Sequence, residues 1–427
     1  MGKNNIPEAF FHFLWKYRSL KPGLNTTKGE LLEIIDPGQH NHDSGPDFLM
    51  AKIRIGNTLW AGNVEIHIRG SDWYRHGHQS DSAYNNVVLH IVAENDIIAR
   101  NQAGHELQTL CLKDAYRSEL LERYNKIIKN LLWVPCMHMI NRVERIIILN
   151  TIHAKAIERL QEKSILVQDE LKKCNNDWEE CCYRLISKQF GSKINTSPFE
   201  MLAETIPAKI LMKHHHDLTQ LESLLFGQSG LLNTRSRENY PKNLKKEHHF
   251  LAAKYGLTPM PGYLWKFMRL RPAAFPGLRI AQLAYLYHLH QSVFQELLEK
   301  KSIAAAVAFF ELEASTYWDH HYHFNKKSKY QKKRFGLQAT HLLLINAIVP
   351  LVYLYGEQMN KGELCERAVA FMESLPPEGN AVVRRWKGLG IEVSNALETQ
   401  GLLQMKKALC DARLCLECPI GHALLKE

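Results

Sequence analysis

Three side chains that could carry metal or proton chemistry fall within one short stretch of the chain. They are Asp47, Glu65 and His67. Two carboxylates that converge suit a hard divalent cation such as Mg²⁺, which prefers oxygen ligands and keeps several water molecules. An imidazole beside such an ion can orient or deprotonate an attacking water and offset charge on a phosphoryl centre. The residue types therefore predict metal-dependent hydrolysis of a phosphate ester.

The elements around these residues have the pattern of a β-hairpin. Two β-like runs cover residues 48–55 and 58–68, and the pair Gly56-Asn57 between them is typical of a tight turn. Because side chains alternate between the two faces of a strand, Glu65 and His67 share one face. The aspartate at the entry to the first strand is within reach of that face. An alternative is that the aspartate serves only the turn and that the other two lie on a solvated edge strand.

Patterns on either side extend the hairpin into a compact α/β unit. An aromatic-rich helix is predicted over residues 8–18, and a short strand over 31–35. A helix start near residues 80–84 and a continuous apolar strand over 87–93 follow the hairpin. After about residue 120, apolar residues recur at helical spacing. The sequence thus predicts an α+β protein with its sheet at the N-terminal end.

Length and composition favour two domains in a reducing compartment. The chain has 427 residues, more than one hydrophobic core usually serves. We predict an α/β domain over residues 1–118 and a large α-helical, substrate-binding domain over 119–427. Nine cysteines without a framework spacing, no signal-peptide pattern and no apolar run of membrane-spanning length predict a cytoplasmic protein with no membrane partner.

The charge of the chain predicts a polyanionic partner, and nucleic acid is the leading one. The formal net charge is +10 and the isoelectric point about 9.0. A basic run with an aromatic residue inside it suits a phosphate backbone, although a solvated loop is the alternative. The residues predicted to contact nucleic acid are His76, His78, Arg269, Arg271, Lys326, Lys327, Lys329, Lys332, Lys333 and Arg334. An alternative for His76 and His78 is that they bind a metal together with Asp81.

The N-terminal motif resembles the signature of a known nuclease superfamily. Pro46-Asp47 followed by Glu65-Ile66-His67 is similar to the Pro-Asp…(Asp/Glu)-x-Lys motif of the restriction-endonuclease-like superfamily. The order of the surrounding elements also resembles the αβββαβ core of that superfamily. The resemblance implies that Asp47, Glu65 and the Ile66 carbonyl bind Mg²⁺ or Mn²⁺, and that Glu33 is an additional acidic residue of the site.

One position departs from that motif, because His67 stands where the superfamily has lysine. Lysine is a permanent cation near neutral pH, whereas an unperturbed histidine is mostly neutral there. Three interpretations stay open: His67 acts as a general base, it coordinates a softer ion such as Mn²⁺, or the site has lost its activity. His40 and His42 precede Asp47 in the chain and are weaker candidates for the same cleft.

The whole chain also resembles an uncharacterised bacterial family, the domain of unknown function numbered 2851. That resemblance brings no activity with it. The stretches that carry it are residues 13–18, 44–48, 60–67, 225–232, 269–283 and 415–421.

The C-terminal cysteines are candidates for a second metal site. Cys410, Cys415 and Cys418 have soft ligand atoms near metal-site spacing, with His422 four residues further on. Some nucleases of the superfamily named above hold an iron–sulfur cluster with C-terminal cysteines and one distant cysteine, which the resemblance would place at Cys136. Since the first spacing is not that of a common zinc or cluster motif, the sequence favours buried thiols over a zinc or iron–sulfur site.

The leading hypothesis is a metal-dependent nuclease whose helical region holds the substrate backbone. The alternative is a non-catalytic nucleic-acid-binding or scaffolding protein on a decayed nuclease fold. A third possibility is a hydrolase of another phosphate ester, which would not need the basic run.

Overall fold

A computed structural model describes residues 6–41, 43–233 and 236–426. The chain divides into two compact units. The first unit comprises residues 1–151 together with 405–427, and the second comprises residues 152–404. The N-terminal sheet and the mainly helical remainder confirm an α+β protein at this coarse level.

Helices account for most of the regular structure in the described part of the chain. The α-helices are α1 Glu8–Lys16, α2 Asp72–Arg75, α3 Ser118–Ile128, α4 Arg145–Lys173, α5 Trp178–Phe190, α6 Thr196–Thr205, α7 Ala208–Lys213, α8 Leu218–Gln228, α9 Asn239–Tyr255, α10 Pro276–Leu289, α11 Val293–Leu298, α12 Ile303–Ala308, α13 Leu337–Leu343, α14 Val349–Gln358, α15 Gly362–Ser374, α16 Ala381–Gly388, α17 Ala396–Met405 and α18 Pro419–Lys426. Two π-helical turns, Leu344–Ile348 and Lys406–Cys410, follow α13 and α17.

The strands of the first unit form one sheet of seven strands. They are β1 Leu24–Asn25, β2 Leu31–Asp36, β3 Gln39–His40, β4 Phe48–Ile55, β5 Thr58–Arg69, β6 Val87–Glu94 and β7 Thr109–Cys111. The order is β1-β2-β4-β5-β6-β7, and β3 pairs with β4. Pairing is antiparallel from β1 to β5 and parallel from β5 to β7. In the second unit, β8 His321–His323 pairs with β9 Lys326–Lys327.

The β4–β5 hairpin has the predicted turn, and its register shifts once. Ile55 pairs with Thr58 across Gly56-Asn57, whereas the pairing shifts between Phe48 and Ala51. Met50, at this shift, has a φ of 59°, which is the left-handed conformation often found in a β-bulge. Bulges bend a strand and redirect its side chains. This bulge lies three residues from Asp47, near the start of β4, where the acidic residues meet.

Helix α1 covers the sheet with a dense aromatic face. Phe10, Phe11, Phe13, Leu14 and Trp15 are all buried. The indole of Trp15 also donates a hydrogen bond to the Pro37 carbonyl oxygen at 3.0 Å. The helix is therefore fixed against the loop that leads into the hairpin.

The predicted helix between β5 and β6 is much shorter in the structure. Only α2, of four residues, is α-helical, and residues 80–84 form parts of two 3₁₀ turns. Gly77, with a φ of 78°, ends the first of these segments. The reason lies in packing: Trp73 and Tyr84 are buried in one small cluster, and tight turns bring both inward.

The two compact units are not divided at residue 118, the boundary that the sequence predicted. Helix α3 remains with the first unit because its Tyr124 ring packs against Phe10 at 5.3 Å. The C-terminal segment belongs to the same unit. There Arg413 Nη1 donates hydrogen bonds to the carbonyl oxygens of Ile128 and Asn130, at 2.8 and 2.6 Å. These contacts join residues nearly three hundred positions apart, so local sequence patterns carry no signal for them.

The second unit contains one long apolar helix. The segment Leu337–Gln358 has the length and hydropathy of a membrane span, and it is the one such helix among the described residues. However, 61% of its apolar window is buried inside the protein, as in the core helix of a globular unit. The interior π-turn Leu344–Ile348 is buried in the same core.

A glycine before β3 offers a test of the hairpin's support. Gly38 has a φ of +84°, and a Cβ there would lie 2.4 Å from the Leu49 carbonyl oxygen. Gly29 has a nearly equal φ of +82° with open space around it. We expect Gly29→Ala to destabilise the unit by about 1–2 kcal/mol through backbone strain alone. Gly38→Ala should cost roughly 2–5 kcal/mol, because steric overlap adds to that strain. Chemical denaturation of the two variants measures the difference, and equal losses would contradict the role given to the Leu49 contact.

Candidate metal-binding site

The two carboxylates of the hairpin meet where β4 begins. The backbone N–H of Asp47 donates to Glu65 Oε2 at 3.1 Å, and the backbone N–H of Ile66 donates to Asp47 Oδ2 at 2.9 Å. Each acidic side chain thus accepts a hydrogen bond from the opposite strand. Glu65 is buried, with 5% of its surface exposed. The remaining oxygen, Glu65 Oε1, faces the histidines of the sheet.

Two imidazoles lie beside that oxygen, and a third lies beside one of the two. His67 Nε2 lies 3.4 Å from Glu65 Oε1, and His78 Nε2 lies 3.3 Å from the same atom. His76 Nδ1 is 3.2 Å from His67 Nε2. His67, His76 and His78 each offer a nitrogen, and these three nitrogens all lie within 4.8 Å of one another. Together with Glu65, they form what we call the three-histidine cluster.

A fourth histidine, on the neighbouring strand, forms a hydrogen bond with the ring of His67. His90 on β6 pairs with Glu65 in the parallel ladder, and its Nε2 lies 2.9 Å from His67 Nδ1. For His67 to bind a cation through Nε2, its Nδ1 must carry the proton and donate to His90. A hydrogen bond to the second ring nitrogen is the usual way in which proteins orient a metal-binding histidine. His90 is thus a hydrogen-bonded core histidine, and it also positions His67.

Helix α1 supplies a residue that the sequence analysis did not identify. His12 Nε2 lies 3.4 Å from Asp47 Oδ2 and 4.0 Å from Glu8 Oε1. Burial opposes protonation of His12, but the neighbouring Asp47, Glu8 and Glu65 carboxylates raise its pKa above the ordinary value. The signal in the sequence was a single histidine within an otherwise apolar helical face.

Burial shifts the pKa values of the groups in this site in different directions: it lowers those of His67 and His90 and raises that of Glu65. Burial and the neighbouring His90, His78 and His76 lower the pKa of His67 to about 2. Burial and the His78 imidazole lower the pKa of His90 to about 4. Burial and the Asp47 charge raise the pKa of Glu65, although the neighbouring His78 imidazole opposes them. His67 is therefore neutral at physiological pH and keeps the lone pair that a metal ligand needs.

The donor set suits a transition-metal ion better than Mg²⁺. Three imidazoles and one carboxylate favour ions such as Mn²⁺ or Zn²⁺, whereas Mg²⁺ prefers oxygen ligands alone. The Nε2 atom of His78 is buried and has no hydrogen-bond partner, although Glu65 lies close to it. A bound cation would satisfy this nitrogen and would offset the burial of the carboxylate.

Other residues predicted for this site lie in different surroundings. On β2, Glu33 Oε2 lies 3.4 Å from Nε of Arg54, the residue opposite it on β4. Arg54 is seven residues along the chain from Asp47. At about 3.3 Å per residue, this is a distance of roughly 20 Å, and Glu33 does not join the cluster. Ile66 takes part through its backbone N–H, as described above. The ring of His40 stacks on Phe48 at 4.8 Å, and His42 is outside the described residues.

The basic run of the second unit is only partly available to a partner. Lys326, Lys327 and Lys329 are exposed. Lys333 is buried, with 4% of its surface exposed, and its ammonium group lies 4.0 Å from the centre of the Tyr322 ring. The placement of Lys333 among nucleic-acid contacts is therefore wrong, because an aromatic ring covers its charge.

Two more residues of the run are exposed but engaged in ion pairs. Lys332 Nζ lies 3.2 Å from Asp319 Oδ2, and Arg334 Nε lies 2.8 Å from Glu313 Oε1. Their charges are largely balanced by acidic neighbours, so a phosphate backbone would gain little from them.

Three arginines between residues 269 and 279 differ in how far they are buried. Arg269 and Arg271 are exposed, and Arg269 has a φ of 63°. Arg279 is buried and its guanidinium stacks on the Phe335 ring at 4.4 Å. The first two stay candidates for phosphate contact, whereas the third supports packing within α10.

The C-terminal cysteines are brought together with a distant one. Cys410, Cys415 and Cys418 line one small cavity with Cys136. His422 does not line this cavity, and its ring stacks on Tyr17 at 3.7 Å.

Comparison with known proteins identifies a family without a described activity. Neither a curated protein nor a solved structure matches this chain. The family model described as "Protein of unknown function (DUF2851)" matches residues 8–381, which is most of the chain. The chain therefore belongs to the DUF2851 family.

Proposed function

We propose that this protein is a metal-dependent nuclease that hydrolyses phosphodiester bonds at the three-histidine cluster. The observation that carries the proposal is the position of Glu65 Oε1, which lies 3.4 and 3.3 Å from the Nε2 atoms of His67 and His78. A buried carboxylate beside imidazole nitrogens is a strong attraction for a divalent cation. We infer that Mn²⁺ is preferred to Mg²⁺ because nitrogen ligands outnumber carboxylates in the cluster.

The ligands and the remaining groups have separate roles in this proposal. Glu65, His67 and His78 would hold the ion, and the exposed His76 would complete the set on the open side. When bound, such an ion supplies charge stabilisation at the phosphoryl centre and makes water more acidic. Asp47, held by the Ile66 N–H, fixes the end of the hairpin and orients His12.

His12 gives the site a group that can deliver a proton. Its pKa is raised by the surrounding carboxylates, so the ring holds a proton at Nε2 more firmly than an isolated histidine does. In this proposal His12 donates that proton to the leaving oxygen. The histidine at the motif's lysine position then acts as a ligand, because its lowered pKa keeps it uncharged.

A cleavage assay tests the function. The full-length protein is incubated with linear DNA, circular DNA and RNA, each with Mn²⁺ or Mg²⁺. We expect cleavage that is faster with Mn²⁺ and that Glu65→Ala abolishes. Glu94→Ala is a matched control, because Glu94 is an exposed carboxylate on the adjacent strand that pairs with Arg69. If wild type and Glu65→Ala are equally inactive on every substrate, a non-catalytic nucleic-acid-binding protein is the better description.

The exposed lysines should control how binding to nucleic acid depends on salt. Replacing Lys326, Lys327 and Lys329 together with alanine removes three unpaired charges. If each contacts a phosphate of duplex DNA, the slope of log affinity against log salt should become shallower by about 3, since each contact contributes about 0.9. Fluorescence anisotropy over a salt series measures this slope.

The ion-paired neighbours provide the comparison. The double variant Lys332→Ala with Arg334→Ala should change the slope by less than 1, because Asp319 and Glu313 already balance these charges. An unchanged slope in the triple variant would exclude this surface as the binding region.

A further inference from the structure

Two segments of the second unit carry cations and contain no acidic residue. They are residues 263–275 and 320–330. Their lysines and arginines are all exposed, and none belongs to an ion pair among the described residues: Lys266, Arg269, Arg271, Lys326, Lys327 and Lys329. By contrast, acidic neighbours balance the charges of Lys332 and Arg334. Uncompensated charge of one sign attracts a polyanion, and it destabilises the folded chain through self-repulsion when nothing is bound.

An aromatic cluster joins the two segments. The centre of the His323 ring, on β8, lies 4.3 Å from that of Phe267 and 5.1 Å from that of Phe275. The centres of the two phenylalanine rings lie 5.6 Å apart. In the β8–β9 hairpin, His323 pairs with Lys326, the first exposed lysine of the second segment. The cations that flank these rings in the chain therefore share one surface, and we call residues 263–275 and 320–330 the aromatic–basic surface.

A buried asparagine fixes the backbone of the first segment. The Asn195 side chain accepts a hydrogen bond from the Lys266 backbone N–H at 2.9 Å and donates one to the Lys266 carbonyl oxygen at 2.8 Å. The Trp265 indole donates a hydrogen bond to the Ser229 carbonyl oxygen at 2.8 Å. A segment that is already ordered loses less conformational entropy when a partner binds, so these contacts favour binding.

Backbone hydrogen bonds also fix the second segment beside the hairpin. The Ser328 N–H donates to the His320 carbonyl oxygen at 2.6 Å, and the Gln331 N–H donates to the Asp319 carbonyl oxygen at 2.9 Å. The chain after β9 therefore runs beside the residues that precede β8. This arrangement places the Tyr330 ring 5.3 Å from the His320 ring.

Two tyrosine rings of the surface are open to a planar partner. Tyr263 has 84% of its surface exposed, and Tyr330 has 63%. Both rings lie within a few residues of unpaired cations in the chain. Aromatic side chains beside a basic groove are the usual means by which proteins bind a nucleic-acid strand with unpaired bases.

The combination of rings and cations favours single strands over duplexes. In a single strand each base has a free face that can stack on an aromatic side chain, while cations contact the backbone phosphates. In a duplex those faces are already stacked on the neighbouring base pairs, so the phosphates remain as the main contacts. The cations thus give affinity for either form, and the rings give a preference for unpaired bases.

An anionic membrane is the other surface that this charge could attract. Membrane-surface elements insert aliphatic, tryptophan or phenylalanine side chains, most often from an amphipathic helix. In the aromatic–basic surface, Phe267 and Phe275 are half-buried against His323, and the exposed rings are those of tyrosine and histidine. Met268 is the one large aliphatic side chain exposed in these two fully described segments. The composition therefore fits stacking on bases better than insertion into lipid.

We propose that the aromatic–basic surface binds single-stranded nucleic acid, with bases stacked on Tyr263 and Tyr330 and phosphates held by the surrounding lysines and arginines. The inference rests on the proposed function, since it names the form of nucleic acid that the nuclease holds. The surface lies within the second unit and shares no residue with the three-histidine cluster. Binding can therefore be measured without cleavage.

A binding assay without metal tests the proposal. The full-length wild type, in the presence of a chelator, is titrated with labelled oligothymidylate, oligouridylate and a duplex of the same length. We expect one or both single strands to bind about tenfold more tightly than the duplex, and the tighter of the two identifies DNA or RNA as the partner. Equal affinity for all three, or tighter binding of the duplex, would overturn the proposal. Single-strand binding without cleavage on addition of Mn²⁺ would contradict the proposed function alone.

Replacing the exposed rings separates stacking from charge. The double variant Tyr263→Ala with Tyr330→Ala should weaken single-strand binding by about tenfold and duplex binding by less than about twofold. Phenylalanine at both positions keeps the rings and should keep the wild-type affinity. Phe250→Ala is a matched control, because the Phe250 ring is 64% exposed but lies on α9, outside both segments. Equal weakening of single-strand and duplex binding in the double alanine variant would overturn the stacking role.

Crosslinking of the wild type does not depend on whether the variants fold. Oligothymidylate bound to the full-length protein is irradiated with ultraviolet light, and the crosslinked peptides are identified. We expect crosslinks within residues 263–275 and 320–330, whereas crosslinks confined to other segments would overturn the assignment. Phosphatidylglycerol vesicles, added at an equal concentration of phosphate, should not displace the strand. Displacement by the vesicles would identify a membrane surface instead and would also overturn the proposal.

Discussion

Replacing Glu65 with alanine should lower the affinity for Mn²⁺ by more than about 100-fold. Loss of an outer-shell partner alone reduces metal affinity by roughly 10- to 100-fold, and Glu65 is proposed as a direct ligand. The carboxylate oxygen that faces both His67 and His78 would be removed, and the imidazoles alone would carry the ion. Isothermal titration of the full-length protein with Mn²⁺ measures the change.

Two further variants make that result interpretable. Glu94→Ala should bind Mn²⁺ as the wild type does, since this exposed carboxylate lies outside the cluster. His76→Ala should lose less affinity than Glu65→Ala because His76 is the exposed member of the set. Thiols bind Mn²⁺ weakly, so the cysteine cavity should not contribute to the titration. Equal affinity of wild type and Glu65→Ala would refute the site.

Lowering the pH should destabilise the sheet around the site at pH values above those at which most carboxylates become protonated. The pKa of His67 is lowered to about 2 and that of His90 to about 4, from about 6.5 in an unfolded chain. A histidine whose folded pKa is depressed contributes stability above its unfolded pKa, and that stability is lost as the pH falls. Between pH 7 and pH 5 the two residues should together remove about 2–4 kcal/mol from the free energy of unfolding.

Glu65 and His12 partly offset this loss of stability, and the lower value of the range of about 2–4 kcal/mol allows for them. The raised pKa values of Glu65 and His12 mean that the folded state binds their protons more readily, so they add stability as the pH falls. Hydrogen exchange of the β5 and β6 amides, in the presence of a chelator, reports on this part of the protein. His90→Gln should flatten the pH dependence. The same dependence in wild type and variant would show that His90 does not titrate as described.

The local elements of the hairpin could be predicted from the sequence because strand alternation is a local property. The strand β4 has the predicted bounds, and β5 and β6 each extend one residue further. The shared face of Glu65 and His67 follows from the period of two. Alternation does not tell at which end of a strand a residue finds its partners, so it could not show that Glu33 lies opposite Arg54, at the other end of β4 from Asp47.

Contacts between distant parts of the chain could not be predicted in this way. His12 reaches Asp47 only because α1 packs across the sheet, and no spacing rule connects the two. His76 and His78 were predicted as phosphate contacts or metal ligands at the mouth of the site, but their proximity to His67 depends on two tight turns that no spacing rule predicts. Lys333 looked like its basic neighbours in sequence, yet the Tyr322 ring covers it. Each of these outcomes depends on tertiary packing rather than on propensity.

The reciprocal hydrogen bonds between the two strands have a consequence for how this family changes over time. Asp47 and Glu65 each accept a backbone N–H from the opposite strand, so both carboxylates stabilise the hairpin whether or not an ion is bound. A relative that had lost its activity would still be under selection to keep them. The exposed His76 has no comparable structural bond to the backbone. Across the family, an imidazole at that position should therefore distinguish functional members from inactive ones better than the acidic pair does.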